Sequence, residues 1–402
     1  MNYPLRPPFL VTATLFYSVM IMVVGQAFLF TVLPPIGREI GLEDYQVGLV
    51  MSVHGLFMLF VGPIWGAISE TWGRRPVIFL GGLIFCISVV MFGIIVDAAL
   101  SGTISLFMVI ACFVGSRALF ALGAGAVTPA AMALAADMSS REMRLKTLSI
   151  MTAATSSGAI IGPSVSAFLT IFGLSLPFYF IAFSGIFILV GAAFLLPNSR
   201  PVFSSNGKGY RELLKGNILR IASGSSLFMI GTYGMFSMLG FFVQDRFSLD
   251  PITAAKIMGF GLMCAASATI FIQVFILSWV KLNPKFFIIL GILFGFISVN
   301  LLWYAPTISI FYLAMLSNGI GQGLAMPAIN TCLSLSAGPE YQGRVAGITT
   351  STQAIAFLVA PASSVALYQL TGWGAFLASG IIIFLSFILF IFMPIIQKEN
   401  KI

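Results

Sequence analysis

The chain has 402 residues, of which only 8% are charged and 59% are hydrophobic, with a mean hydropathy of +1.05. Soluble domains carry roughly 25% charged residues, so this composition excludes a water-soluble enzyme or binding module and points to a chain that crosses a membrane many times. The net charge of +8 calls for no nucleic-acid partner, because the basic residues fall where membrane topology places them.

Apolar runs bounded by polar or Pro/Gly breaks predict twelve membrane helices. The first six cover about residues 9–33, 47–69, 77–96, 104–134, 147–170 and 178–196. The second six cover about 218–243, 254–280, 286–303, 308–334, 345–370 and 375–393. The first run is longer than a signal-peptide core and no small-residue cleavage site follows it, so no cleaved leader is expected. Cys86, Cys112, Cys264 and Cys332 each sit alone in an apolar run and read as buried small hydrophobes, with no metal-type spacing.

On alternate sides of these helices the basic residues divide unevenly. One side has only Arg38, Arg246 and Lys256, Arg117 falls inside the fourth run, and the rest of the 20 lie on the other side. Basic loops stay cytoplasmic, so both termini and the central loop are expected in the cytoplasm. The longest polar stretch, Pro197 to Asn217, divides the chain into an N-terminal six-helix bundle (1–196), a central loop (197–217), a C-terminal bundle (218–393) and a tail (394–402).

The two halves are parallel duplicates. A shift of 198 residues aligns GAGAVTPAA (Gly123 to Ala131) with GQGLAMPAI (Gly321 to Ile329), and pairs Pro129 with Pro327 and Pro163 with Pro361. A shift of 210 aligns LGGLIFCIS (Leu80 to Ser88) with LGILFGFIS (Leu290 to Ser298). Two repeats about the membrane normal, with a site between them near the midplane, is the arrangement of rocking transporters.

Between helices 2 and 3 the sequence reads GPIWGAISETWGRRPVI. It resembles the loop signature of the major facilitator superfamily at Gly66, Glu70, Gly73, Arg74 and Arg75. Gly66 is expected to let a neighbouring helix approach closely, Gly73 to make a tight turn, and Glu70 with the two arginines to form an ion-pair latch that holds one conformational state. Glu70 stands where the family usually has Asp, and Thr71 where a basic residue is common. Helix 5 carries Gly158, Gly162 and Pro163 in GAIIGPSVSA, similar to the superfamily's antiporter pattern. The two glycines make a flat face, and the proline can bend the helix. Arg117 matches the arginine of the family's fourth-helix motif, although Phe120 and Ala121 depart from it. An unpaired guanidinium in hydrocarbon costs about 2.5–3.5 kcal/mol on insertion scales, so Arg117 is expected to face a cavity or a partner.

No Asp or Glu lies centrally in any apolar run, which weakens lipophilic cations as cargo. The single histidine, His54, titrates in the range that can couple to protons. Polar residues that can line a path include Gln26 in helix 1, Tyr233 in helix 7, and Asn318 and Gln322 in helix 10. A cavity built from these with Arg117 is neutral to positive and suits anionic, zwitterionic or neutral solutes.

No P-loop, metal-ligand cluster or nucleophile with a paired base is present. No enzyme activity, metal or cofactor is expected, and an ion gradient rather than ATP supplies the energy. The resemblance implies an all-α membrane protein with the twelve-helix major facilitator fold and proton antiport by alternating access. The partners it implies are a small-molecule substrate, protons and the lipid bilayer, with no nucleic acid, and a chain that functions as a monomer in a bacterial inner membrane. Export of a drug or a self-made metabolite is the leading reading, with a carboxylate siderophore as one candidate cargo. Proton-coupled uptake of an anionic nutrient or chelate is the alternative, and a transporter-shaped receptor or chaperone a third.

Overall fold

The computed structural model describes residues 8–139, 144–198, 216–277, 283–337 and 342–393, apart from some side chains inside helices. Within these residues there are twelve long helices and no strand, as a chain in lipid requires when every backbone polar group must be satisfied internally. The first six are α1 (Phe9–Glu39), α2 (Asp44–Trp72), α3 (Arg74–Leu100), α4 (Leu106–Asp137), α5 (Arg144–Leu169) and α6 (Leu176–Phe194). The second six are α7 (Asn217–Phe247), α8 (Pro251–Phe271), α9 (Pro284–Tyr304), α10 (Ile308–Ala337), α11 (Gln342–Thr371) and α12 (Ala375–Ile391). A π-helical segment, Ile272–Ile276, extends α8, and a single 3₁₀ turn, Gly372–Gly374, separates α11 from α12. Residues 199–215 of the expected central loop and 394–402 of the expected tail lie outside the described residues.

Ten stretches among the described residues are long and apolar enough to cross a membrane. One of them, Gly347–Ile391, runs through both α11 and α12, and the apolar stretch of α5, Ala153–Leu169, is shorter than a full span. The helices also outrun the apolar runs that announced them. α1 continues through Pro34 and Pro35 to Glu39, and α3 begins at Arg74 rather than near residue 77. Hydropathy marks the hydrocarbon core, whereas a helix continues into the interface wherever water or a side chain can meet its last carbonyls. Cys86 and Cys332 are buried as expected, but Cys112 and Cys264 are only half-buried, because each lies at the margin of its helix's packed face.

Close packing groups α1–α6 with Leu249–Phe260 as one compact unit, and α7 with the chain from Gly261 onward as the other. Inside the first unit, α1 packs on α5 and α6, and α3 on α4 and α6. Inside the second, α7 packs on α11 and α12, and α9 on α10 and α12. The aligned segments make the same contact in both. A Cβ on Gly123 would lie 2.8 Å from the Gly81 carbonyl oxygen and the Phe85 nitrogen, and one on Gly321 would lie 2.7 Å from the Gly291 oxygen and 2.9 Å from the Gly295 nitrogen. Small residues thus let α3 meet α4, and α9 meet α10, backbone to backbone. Pro129 and Pro163 sit inside α4 and α5, and their partners Pro327 and Pro361 inside α10 and α11.

Candidate functional site

Arg117 lies in the first half of α4, on the face that packs against α3 and α1, and is only 1% exposed. Its Nη2 donates to Gln26 Oε1 of α1 at 3.1 Å, and its guanidinium carbon sits 4.9 Å from the centre of the Phe120 ring one turn further along α4. The Nε and Nη1 groups have no hydrogen-bond partner among the described residues. The face of an aromatic ring is its negative pole, so Phe120, a departure from the family motif, supplies partial compensation for the charge. His54 of α2 is buried and meets the same ring edge-on, with centroids 5.6 Å apart. A small cavity of about 10 Å³ adjoins this group, lined by Arg117, Phe120, Gly25, Ser88, Ser116 and Phe178 together with apolar side chains. Ser116 Oγ donates to the Ser88 carbonyl at 2.9 Å and Ser88 Oγ to the Phe85 carbonyl at 2.7 Å.

The other expected path residues are arranged differently. Tyr233 of α7 stacks on Phe357 of α11, with ring centroids 4.2 Å apart. Asn318 of α10 is 1% exposed, its Nδ2 lies 4.0 Å from Met235 Sδ, and its Oδ1 has no partner among the described residues. Gln322, one turn along α10, is half-buried. The structure therefore brings together Arg117, Gln26 and, through Phe120, His54. Ser88 and Ser116 belong with them and were not expected, since a serine among small residues gives no sign of the cavity it borders.

At the α2–α3 junction Gly73 adopts φ 95°, in the left-handed region, and is the only residue between the two helices. Glycine takes this conformation without steric cost. Arg74 donates from Nη1 to Ser69 Oγ and pairs from Nε with Asp137 Oδ2 at the end of α4, 3.4 Å away. Arg75 turns the other way. Its Nε donates to the Ala192 carbonyl at 2.8 Å, its Nη2 to the Ala193 carbonyl, and its Nη1 to Asn198 Oδ1 at 3.2 Å, so it caps the C-terminal end of α6. The Glu70 side chain lies outside the described residues. Among the described residues, a Cβ on Gly66 would meet nothing within 4 Å, and no helix among them approaches Gly66 closely.

The glycines of α5 do make a close approach. A Cβ on Gly158 would lie 2.6 Å from the Met20 carbonyl oxygen, and one on Gly162 would lie 2.7 Å from Ala27 Cβ, so this flat face is pressed against α1. The Pro163 carbonyl oxygen would lie 3.1 Å from a Cβ on Gly259, in the part of α8 that groups with the first six helices.

The sequence matches the family model described as Major Facilitator Superfamily over residues 15–361. Quinolone resistance protein NorA of Staphylococcus aureus (strain COL) is 24% identical over 364 residues, covering 88% of this chain and 89% of that protein. Multidrug resistance protein 2 of Bacillus subtilis (strain 168) is 25% identical over 401 residues, covering 96% and 94%. A bacterial homolog of the human lysosomal transporter Spinster, in an inward-facing and unoccupied conformation, superposes with a TM-score of 0.74 at 15% identity, over 94% of this chain and 95% of that one. The nucleoside transporter NupG superposes with a TM-score of 0.74 at 13% identity, over 95% and 99%. These structures share the fold.

Proposed function

The chain belongs to the major facilitator superfamily, a multi-pass membrane transporter and not an enzyme, and on that premise we propose that it exports small organic molecules from a bacterial cytoplasm by proton antiport with alternating access. The observation that supports the direction and the cargo class is similarity, over 88% and 96% of this chain, to two relatives named for quinolone and multidrug resistance. The polar centre of the first half is the Arg117–Gln26 pair. Proton exchange is assigned to His54, which shares the Phe120 ring with Arg117. Arg74, Arg75 and Glu70 form the latch region, and the α5 face of Gly158, Gly162 and Pro163 the packed surface that must keep its shape as the transporter cycles. Both termini are assigned to the cytoplasm from the excess of basic residues on that side.

Everted membrane vesicles containing the chain test this reading. With an acid-inside gradient they should accumulate a fluorescent quinolone and lose it when a protonophore is added. Vesicles that accumulate nothing above an empty-vector control would overturn drug export. Mass spectrometry of medium and cells from deletion and complemented strains then reads the cargo. A carboxylate compound retained in the deletion strain only under iron starvation narrows it to a siderophore.

A further inference from the structure

Arg117 presents an unbalanced charge. Among the described residues its one hydrogen-bonding side-chain partner is the uncharged amide of Gln26, no carboxylate pairs with it, and its buried Nε and Nη1 have no partner. Guanidinium remains protonated in proteins, and a buried charge is tolerated when a counter-charge or a full set of hydrogen bonds accompanies it. The adjoining cavity has a volume of about 10 Å³. That is about the space of one water-sized sphere, so a chloride ion, somewhat larger, needs the lining side chains to give slightly, whereas a carboxylate with the carbon chain behind it has no room.

We propose that Arg117 and this cavity form a binding site for a monatomic anion, chloride in the cell, which neutralises the guanidinium inside the first six-helix half. Arg117 supplies the charge and N–H donors. Ser116 and Ser88 line the same cavity, and rotation about χ1 turns either hydroxyl from its backbone carbonyl to the anion. Phe28, Phe92 and Phe178 complete the wall, and the edges of such rings carry the positive end of their quadrupole. A water in the same place would satisfy N–H groups and leave the charge unbalanced, which is why the anion is the better occupant. The site goes beyond the export reading and does not depend on the cargo.

The test uses the full-length protein in lipid nanodiscs, with unfolding followed by tryptophan fluorescence in sodium chloride, bromide, acetate or gluconate at one ionic strength. Chloride and bromide should raise Tm saturably by about 2 °C, acetate and gluconate should not, and Ser116→Leu, which fills the cavity, should abolish the difference. Should that variant fail to fold, bromide anomalous scattering from crystals of the unsubstituted protein places the ion, with a peak expected beside Arg117. A Tm indifferent to the anion, with no bromide peak, gives the cavity to water and overturns the proposal. Acetate acting as well as chloride also overturns it, by making the site a carboxylate site. Vesicle transport is measured separately, so the loss of either result leaves the other standing.

Discussion

The α3–α4 seam of the first half and the α9–α10 seam of the second share a scaffold and differ in chemistry. Gly81 and Gly123 bring the first pair of helices together as Gly291 and Gly321 bring the second. Across the first seam Ser116 Oγ donates to the Ser88 carbonyl. Across the second, at the aligned positions, Ser298 Oγ donates to the Ala314 carbonyl at 2.7 Å, the same tie made in the opposite direction. The position of Arg117 is occupied in the second half by Met315, fully buried, and that of Phe120 by Asn318. Duplication has kept the glycine packing and let the buried polar groups diverge, with the embedded charge confined to one half.

The sharpest way to break this asymmetry is Arg117→Met, which gives the first half the side chain of the second. Transport should fall at least about tenfold, a loss of about 1.4 kcal/mol or more in the driving interactions, while membrane insertion persists because the change removes a buried charge. Quinolone accumulation in everted vesicles, set against protein level by immunoblot, measures it. Normal flux would take Arg117 out of the mechanism.

A second comparison lies in the faces of α5 and α11. Gly162 aligns with Ala360, so the second half already carries a Cβ where the first has none. Gly162→Leu should destabilise the first unit by about 1–3 kcal/mol, as overpacking does, because even a Cβ there would lie 3.2 Å from the backbone of Val24. Ala360→Leu should be milder. Thermal unfolding in detergent reads both, and equal shifts would show that the α1–α5 contact is no tighter than its counterpart.

How far these contacts could be read in advance depended on distance along the chain. Helix positions were legible because bilayer thickness fixes the length of an apolar run, and Arg117 was legible as the one charge inside such a run. Its bond to Gln26 spans 91 residues. Both side chains could be named from the sequence, but their pairing depends on how α1 and α4 are rotated, which one sequence does not specify. The partner of Arg74 was hidden for the same reason, since Asp137 lies 63 residues away at the end of α4.

A smaller effect is expected where the halves agree. Lys285 sits 210 residues after Arg75, the offset that aligns α3 with α9, and its Nζ donates to the Ile391 and Met393 carbonyls at 2.7 and 2.6 Å. Each repeat thus uses a basic residue at the start of its third helix to cap the end of its sixth. A cation at a helix C-terminus contributes about 0.3–1 kcal/mol, so Arg75→Gln and Lys285→Gln should each lower Tm slightly and by similar amounts. The double variant should show an additive loss, because the two caps belong to different units. A strongly non-additive result would mean that the caps are coupled.

Gly66→Ala is expected to change least. Among the described residues an added Cβ would meet nothing, and Ala is favoured over Gly in a helix by roughly 0.5–1 kcal/mol, so Tm should stay level or rise. The informative quantity is turnover measured beside Tm. If vesicle transport also stays level, Gly66 has no close neighbour at any stage of the cycle. If transport falls while Tm holds or rises, a helix must approach Gly66 in another conformation. That outcome would separate Gly66 from Gly162, whose neighbour is already in place.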